Sequence, residues 1–159
     1  MPGSGKSTVG VILAKMISRH FIDTDVLIQI SQKRKLQDII DADGYASLRM
    51  IEEKVLLGLW VRDHVVATGG SAVYSKRAMT HLKSDGTLIF LDVELATVTS
   101  RVGDFSARGI AKRPDQNMDE LFQERFALYA EYADITIKCD GMTQEQVCET
   151  IIAEITMRG

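Results

Sequence analysis

A chain of 159 residues, 45% hydrophobic and 26% charged, has the make-up of a folded globular protein and room for one core, which excludes a disordered or many-domain reading. A formal net charge of −3 without a basic stripe argues against a nucleic-acid partner, and no apolar run approaches the ~18 residues of a membrane helix. Cys139 and Cys148 have neither CxxC spacing nor a neighbouring His pair, so they read as reduced thiols of a cytoplasmic protein rather than metal or redox groups.

The chain begins "MPGSGKST". Residues 1–7 match the last seven positions of GxxxxGK[ST], with the first glycine falling immediately before Met1. In such a loop the amides of Gly3, Ser4, Gly5 and Lys6 wrap a polyphosphate at a helix N-terminus, where unpaired N–H groups and the helix dipole favour anions. Lys6 then reaches the β/γ-phosphates and the Ser7 hydroxyl binds Mg²⁺, with Thr8 next in the ATP-binding stretch. The plainer alternative is a glycine-rich helix cap that contains a lysine.

From Ser7, the apolar residues Val9, Ile12, Leu13, Met16 and Ile17 recur at helical spacing and predict a helix to about His20. "FID" (21–23) reads as a strand end. The carboxylates of "DTD", Asp23 and Asp25, should therefore lie at the carboxyl edge of a sheet beside the loop, where open α/β sheets bind ligands. One carboxylate near Mg²⁺ and one near an acceptor hydroxyl would suit phosphoryl transfer. Asp25 is equally suited to capping the helical pattern from Asp25 to Lys33.

A second helical region covers Leu36 to Ala42, and after Gly44 the residues Leu48, Ile51, Val55 and Leu59 predict a helix ending near Trp60. Arg49 and Glu52, three apart, share one face of it. Arg49 can hold a carboxylate bidentately, or the two can form a solvated ion pair. "HVVATGG" (64–70) reads as a buried strand entering a glycine turn that brings backbone close to a ligand or a neighbouring turn, and "TLIFLD" (87–92) as another strand. Short strands between helices point to a parallel sheet.

Residues 102–118 form the one long loop, of the length that makes functional lids. Arg101, Arg108, Lys112 and Arg113 lie in it or beside it, placed to close over phosphate and exclude water. Helix is expected again at 119–133, carrying Arg125, then strand at 135–138 and helix at 143–158. His20, His64 and His81 share no metal-ligand spacing and read as surface or helix-end residues. Trp60 and the methionines read as packing.

The phosphate loop, "DTD", "LRMIEE", "TGG", the arginine-bearing loop and "ERFALY" follow one another in the order and spacing of shikimate kinase, which the sequence resembles over essentially its whole length. The resemblance implies a three-layer α/β/α P-loop NTPase fold and a single kinase domain over 1–159. It implies ATP-dependent phosphorylation of the 3-hydroxyl of shikimate with Mg²⁺, by a cytoplasmic, monomeric enzyme with no nucleic-acid or membrane partner. The carboxylate matching Asp23 then lies with Ser7 at the metal, and Asp25 holds the acceptor hydroxyl as candidate base. Arg49 and Arg125 grip the shikimate carboxylate beside Gly69 and Gly70. Lys6 and Arg108 act on the transferring phosphate, Arg101 flanks the adenine, and Glu52 orients the acceptor pocket.

The departures from that family cluster at the pocket and lid. Ser71 follows two glycines where a third is usual, Gly109 replaces a proline, Ala127 replaces another, and Tyr45 and Leu48 replace Glu and Phe. Arg113–Pro114 offers a second lid arginine. These changes motivate two rivals: a related kinase with another small hydroxylated acceptor, and a nucleotide-binding module without turnover. The family's sheet has five strands, with the strand entering the loop at its centre. Four are readable here, so an N-terminal truncation is the expectation.

Overall fold

The computed structural model describes residues 1–102 and 109–158. Helix α1 spans Lys6–Met16, with Gly5 as its N-cap in the left-handed conformation (φ 88°). It stops short of His20 because Ser18 turns left-handed (φ 55°), freeing the chain to begin strand β1, His20–Asp23. Helix α2, Thr24–Gln32, is capped by Asp23, whose Oδ1 accepts from the Asp25 amide at 2.9 Å and the Val26 amide at 3.4 Å. The capping role open to Asp25 therefore falls to Asp23, and the Asp25 side chain is free for the cavity.

Helix α3 spans Leu36–Leu57 as two arms joined at Gly44, whose φ of 82° and ψ of 163° lie outside helical space. The two helical stretches separated at Gly44 are thus one element with a kink. Strand β2, His64–Ala67, a 3₁₀ turn at Ala72–Tyr74 and helix α4, Lys76–Asp85, follow. Then come β3 (Ile89–Asp92), α5 (Leu95–Val102), α6 (Met118–Tyr132), β4 (Ile135–Lys138) and α7 (Gln144–Arg158).

The strands pair in parallel, as their alternation with helices requires. β1 lies on β2 from His20↔His64 to Asp23↔Ala67, and β3 lies on β4 from Ile89↔Ile135 to Asp92↔Lys138. Among the described residues four strands form these two pairs, and no ladder joins one pair to the other. A core cluster spans the gap: Val9 and Leu13 of α1 and Met1 are buried together with Leu91, Ile135, Ile137 and the α7 residues Val147 and Ile151. Burying a side chain of this size contributes roughly 1.5–3 kcal/mol.

Trp60 is not a packing residue. It is 79% exposed, and its indole meets the edge of the His81 ring at 4.7 Å. Met16, Met50 and Met157 are likewise exposed, whereas Met1 and Met79 are buried. His20 and His64, opposite each other in the ladder, bring their rings to 4.9 Å, and among the described residues no group of His, Cys, Asp and Glu is arranged to hold a metal. No helix among those residues is long and apolar enough to cross a membrane.

Candidate active site

Because β1 and β2 end in register at Asp23 and Ala67, the residues after them leave the sheet at one edge. The Gly69 amide donates to the Oγ1 of buried Thr24 at 3.1 Å, fastening the two exits together. Above them opens a cavity of about 380 Å³, bounded by the loop at Gly3, Gly5 and Lys6 and by Asp25, Glu52 and Arg125.

At one end, α1 presents its first turn to this cavity. Its Gly5 N-cap supplies no side chain to the first amides, which leaves them for an anion. The Met1 carbonyl gathers the Ser4 amide at 3.2 Å, the Ser4 hydroxyl at 2.8 Å and Lys6 Nζ at 2.6 Å, so the lysine lies folded along its own loop. Burial pushes the Lys6 ammonium below its ordinary range, while Asp25 and Glu52 oppose that shift. Ser7, Thr8 and Arg101 also line the cavity.

The Ser7 hydroxyl donates to Asp23 Oδ2 at 2.5 Å. Two hard oxygens at the mouth of an anion site fit Mg²⁺, which is commonly held by one or two protein oxygens together with substrate phosphates.

The other end is built around Gly69. A Cβ placed there would stand 2.2 Å from Glu52 Oε1 and 2.6 Å from Asp25 Oδ1, so both carboxylates press against bare backbone. A Cβ at Gly70 would meet Arg125 Nη1 at 2.7 Å. The "TGG" stretch thus lets backbone approach functional side chains.

Burial raises the Asp25 carboxyl, with Lys6 pulling the other way and Asp23 adding to the rise. Burial likewise pushes Glu52 up to about 7, against the hydrogen bond it accepts from Ser71. Glu52 Oε2 receives the Ser71 hydroxyl, and among the described residues Oε1 is buried without a partner. The Ser71 departure from the family pattern therefore sits at the floor of the site.

Arg49 and Glu52 share a face, yet Arg49 is not paired with Glu52. Its guanidinium lies 3.6 Å over the Tyr74 ring, a cation–π contact, and its Nη2 donates to the Ala111 carbonyl at 3.0 Å. Arg125, 1% exposed, donates its own Nη2 to the same carbonyl at 2.9 Å. Among the described residues the Nε atoms of both arginines are buried without partners, and of the two Arg125 lines the cavity. Buried polar atoms in native proteins are nearly always satisfied, so unpaired donors at a cavity suit a polar ligand.

Arg113 donates to Glu124 at 3.0 Å, and Glu124 also accepts from Tyr74 and Gln116. Arg113 is therefore engaged away from the cavity. Arg108 falls outside the described residues. Tyr74 and Ala111 carry no sequence signal of their own, and Tyr129, the last residue of "ERFALY", donates its hydroxyl to the Gly70 carbonyl at 2.7 Å.

Parallel strands whose carboxyl edge carries a glycine-loop helix N-terminus, with carboxylates and arginines facing it across one cavity, define a P-loop phosphotransferase. The family model "Shikimate kinase" matches residues 2–156. The chain is 36% identical to the shikimate kinase of Sulfurihydrogenibium sp. (strain YO3AOP1) over 157 residues, covering 98% of this chain and 94% of that one. The crystal structure of shikimate kinase from Aquifex aeolicus superposes with a TM-score of 0.83 at 32% identity, covering 97% of this chain and 91% of that one. Shikimate kinase from Acinetobacter baumannii, solved in complex with shikimate, gives a TM-score of 0.84 at 25% identity over 99% of this chain and 89% of that one. The chain belongs to the shikimate kinase family, whose members use ATP with Mg²⁺.

Proposed function

We propose that this chain transfers the terminal phosphoryl group of ATP to the 3-hydroxyl of shikimate, giving shikimate 3-phosphate and ADP. The observation that carries this reading is that Asp25 and Arg125 line the cavity that the phosphate loop opens into, with Arg49 held to the same Ala111 carbonyl as Arg125.

The loop amides and Lys6 bind and neutralise the phosphates. Bound at Ser7 and Asp23, Mg²⁺ supplies further neutralisation of phosphate charge. Arg49 and Arg125 each give one nitrogen to Ala111, and their remaining donors hold the acceptor's carboxylate. Gly69 and Gly70 let that acceptor sit against backbone. Asp25 receives the proton leaving the hydroxyl, a task suited by the raised affinity that burial gives it. Glu52, steadied by Ser71, keeps Asp25 facing the acceptor. Arg101 flanks the nucleotide, and Arg108 is the cation assigned to the transferring group.

The Ser71–Glu52 contact alters the floor of the pocket, and it favours one second reading: the same transfer to another small hydroxylated acid. ADP release with Mg-ATP, measured with shikimate and with a panel of sugar acids and polyols, tests both. Release that requires shikimate supports the first reading, and release only with another acid replaces it. The reading also takes residues 1–159 as one domain of a cytoplasmic monomer, and light scattering of the purified chain checks the oligomeric state.

A further inference from the structure

Gln37 does not line the cavity, yet it is tied to the segment that aims the two arginines. It stands in the first turn of α3, on the arm before Gly44. Its amide is oriented from both ends: Nε2 donates to Asp41 Oδ1 one helical turn on, at 2.8 Å, and Oε1 accepts the Gly109 amide at 2.8 Å.

The fit at Gly109 is close. Its φ is 61°, and a Cβ there would stand 2.4 Å from the Leu36 Cβ and 3.0 Å from the Gln37 amide nitrogen. The chain thus lies flush on the start of α3. Two residues on, Ala111 is buried with Ile28, Ile39 and Leu48. Its carbonyl is the one that receives both Arg49 Nη2 and Arg125 Nη2.

A run of three residues therefore has a hydrogen-bonded anchor at its start and a buried methyl at its end, and its last carbonyl sets where two guanidiniums point. The methyl alone resists sliding only weakly, because apolar contact is non-directional. The amide bond at Gly109 supplies the direction, and it exists because residue 109 carries an N–H, which proline would lack.

We infer that Gln37 is a positioning residue for acceptor capture: through Gly109 and the Ala111 carbonyl it fixes the aim of Arg49 and Arg125. This rests on the assignment of those arginines to the acceptor's carboxylate. Gln37 lies outside the cavity, and neither of its side-chain hydrogen bonds reaches the phosphate loop at residues 1–8.

The test compares Gln37→Met, Gln37→Glu and Arg49→Ala with the parent chain by steady-state kinetics in shikimate and in ATP, together with thermal melting. Methionine keeps the length of the side chain without the acceptor, while glutamate keeps an acceptor for the Gly109 amide. Gln37→Met should raise KM for shikimate about five-fold, the effect of one lost hydrogen bond, change KM for ATP by less than that, and lower Tm by no more than about 4 °C. Gln37→Glu should hold KM for shikimate within about two-fold of the parent.

If Gln37→Met leaves that KM unchanged while Arg49→Ala raises it, the role given to Gln37 is wrong and the acceptor assignment stands. If Arg49→Ala leaves it unchanged, the acceptor assignment itself fails. A joint fall of Tm and kcat in Gln37→Met, with no rescue by Gln37→Glu, would show a structural role only and overturn the inference.

Discussion

The Ser71 hydroxyl donates to the Glu52 carboxylate on a floor where both side chains are closed to water, 7% and 2% exposed. Burial raises Glu52 to about 7, and the Ser71 bond acts in the opposite direction by favouring the charged form. Ser71→Ala should therefore move the limb of the kcat/KM profile for shikimate that tracks Glu52 to higher pH. The shift should be on the order of one unit, the effect of one hydrogen bond to a charged group. A profile from pH 5 to 9 checks it, and a limb that does not move sinks the assignment.

The same carboxyl makes stability depend on pH. Its folded value, about 7, lies above its ordinary 4.5, so the native state holds a proton that the unfolded chain has already released. This contribution is fully present below pH 4.5 and is lost as pH rises through about 7; Asp25, also raised, acts with the same sign. Urea unfolding should show the parent losing up to roughly 3 kcal/mol from Glu52 over that range. In Glu52→Gln the loss should shrink, and an unchanged slope would count against the buried proton.

Asp23 uses its two oxygens separately, Oδ1 capping α2 and Oδ2 meeting Ser7. Asparagine can still cap a helix, but it carries no charge for a metal. Asp23→Asn should therefore keep Tm near the parent and raise the Mg²⁺ concentration needed for half-maximal ADP release. Asp23→Ala should raise it too and also lose about 1 kcal/mol of stability. Equal Mg²⁺ requirements in all three chains would remove Asp23 from the metal site.

Asp25 can be disabled chemically or sterically. Asp25→Asn should lower kcat roughly 10²- to 10⁴-fold, the range of a general base. Gly69→Ala adds a methyl where Asp25 Oδ1 and Glu52 Oε1 already crowd, and it should lower kcat in the same direction while the chain still melts cooperatively. ADP release that continues unchanged in Asp25→Asn would dismiss it as the base.

"DTD" and "TGG" are legible because each is contiguous and closes a short apolar strand, and the phosphate loop because its glycines and lysine open a helix. The helix from Ser7 was read too long: the apolar spacing runs on through Ile17, and only the backbone turn at Ser18 ends it. Helices α4 and α5 left little trace. The first buries only Ala78 and Met79, and the second, "LATVTSRV", is rich in β-branched residues that weaken a helical reading. At the site, Arg49 and Arg125 could be named from motifs. Their shared partner could not, since a backbone carbonyl has no sequence signature and Ala111 lies 62 residues from Arg49. Glu52 and Ser71 were visible as residues, but their contact depends on how α3 meets the turn after β2.

The side chains of the site are tied to one another as well as held by the sheet. Asp23, Asp25, Gly69 and Gly70 belong to the β1–β2 half, whereas Arg101 and Arg125 are carried by helices that flank β3 and β4 in the chain. Asp25 and Arg125 thus meet from two groups of elements, across a boundary that no ladder crosses among the described residues. Tyr129 is a stitch across it, its ring 5.2 Å from that of Phe90 on β3 and its hydroxyl on the Gly70 carbonyl beyond β2. Tyr129 and Arg125 stand one turn apart on α6, so the tie that holds Tyr129 to the Gly70 carbonyl also keeps the buried arginine beside the glycine turn that Asp25 faces.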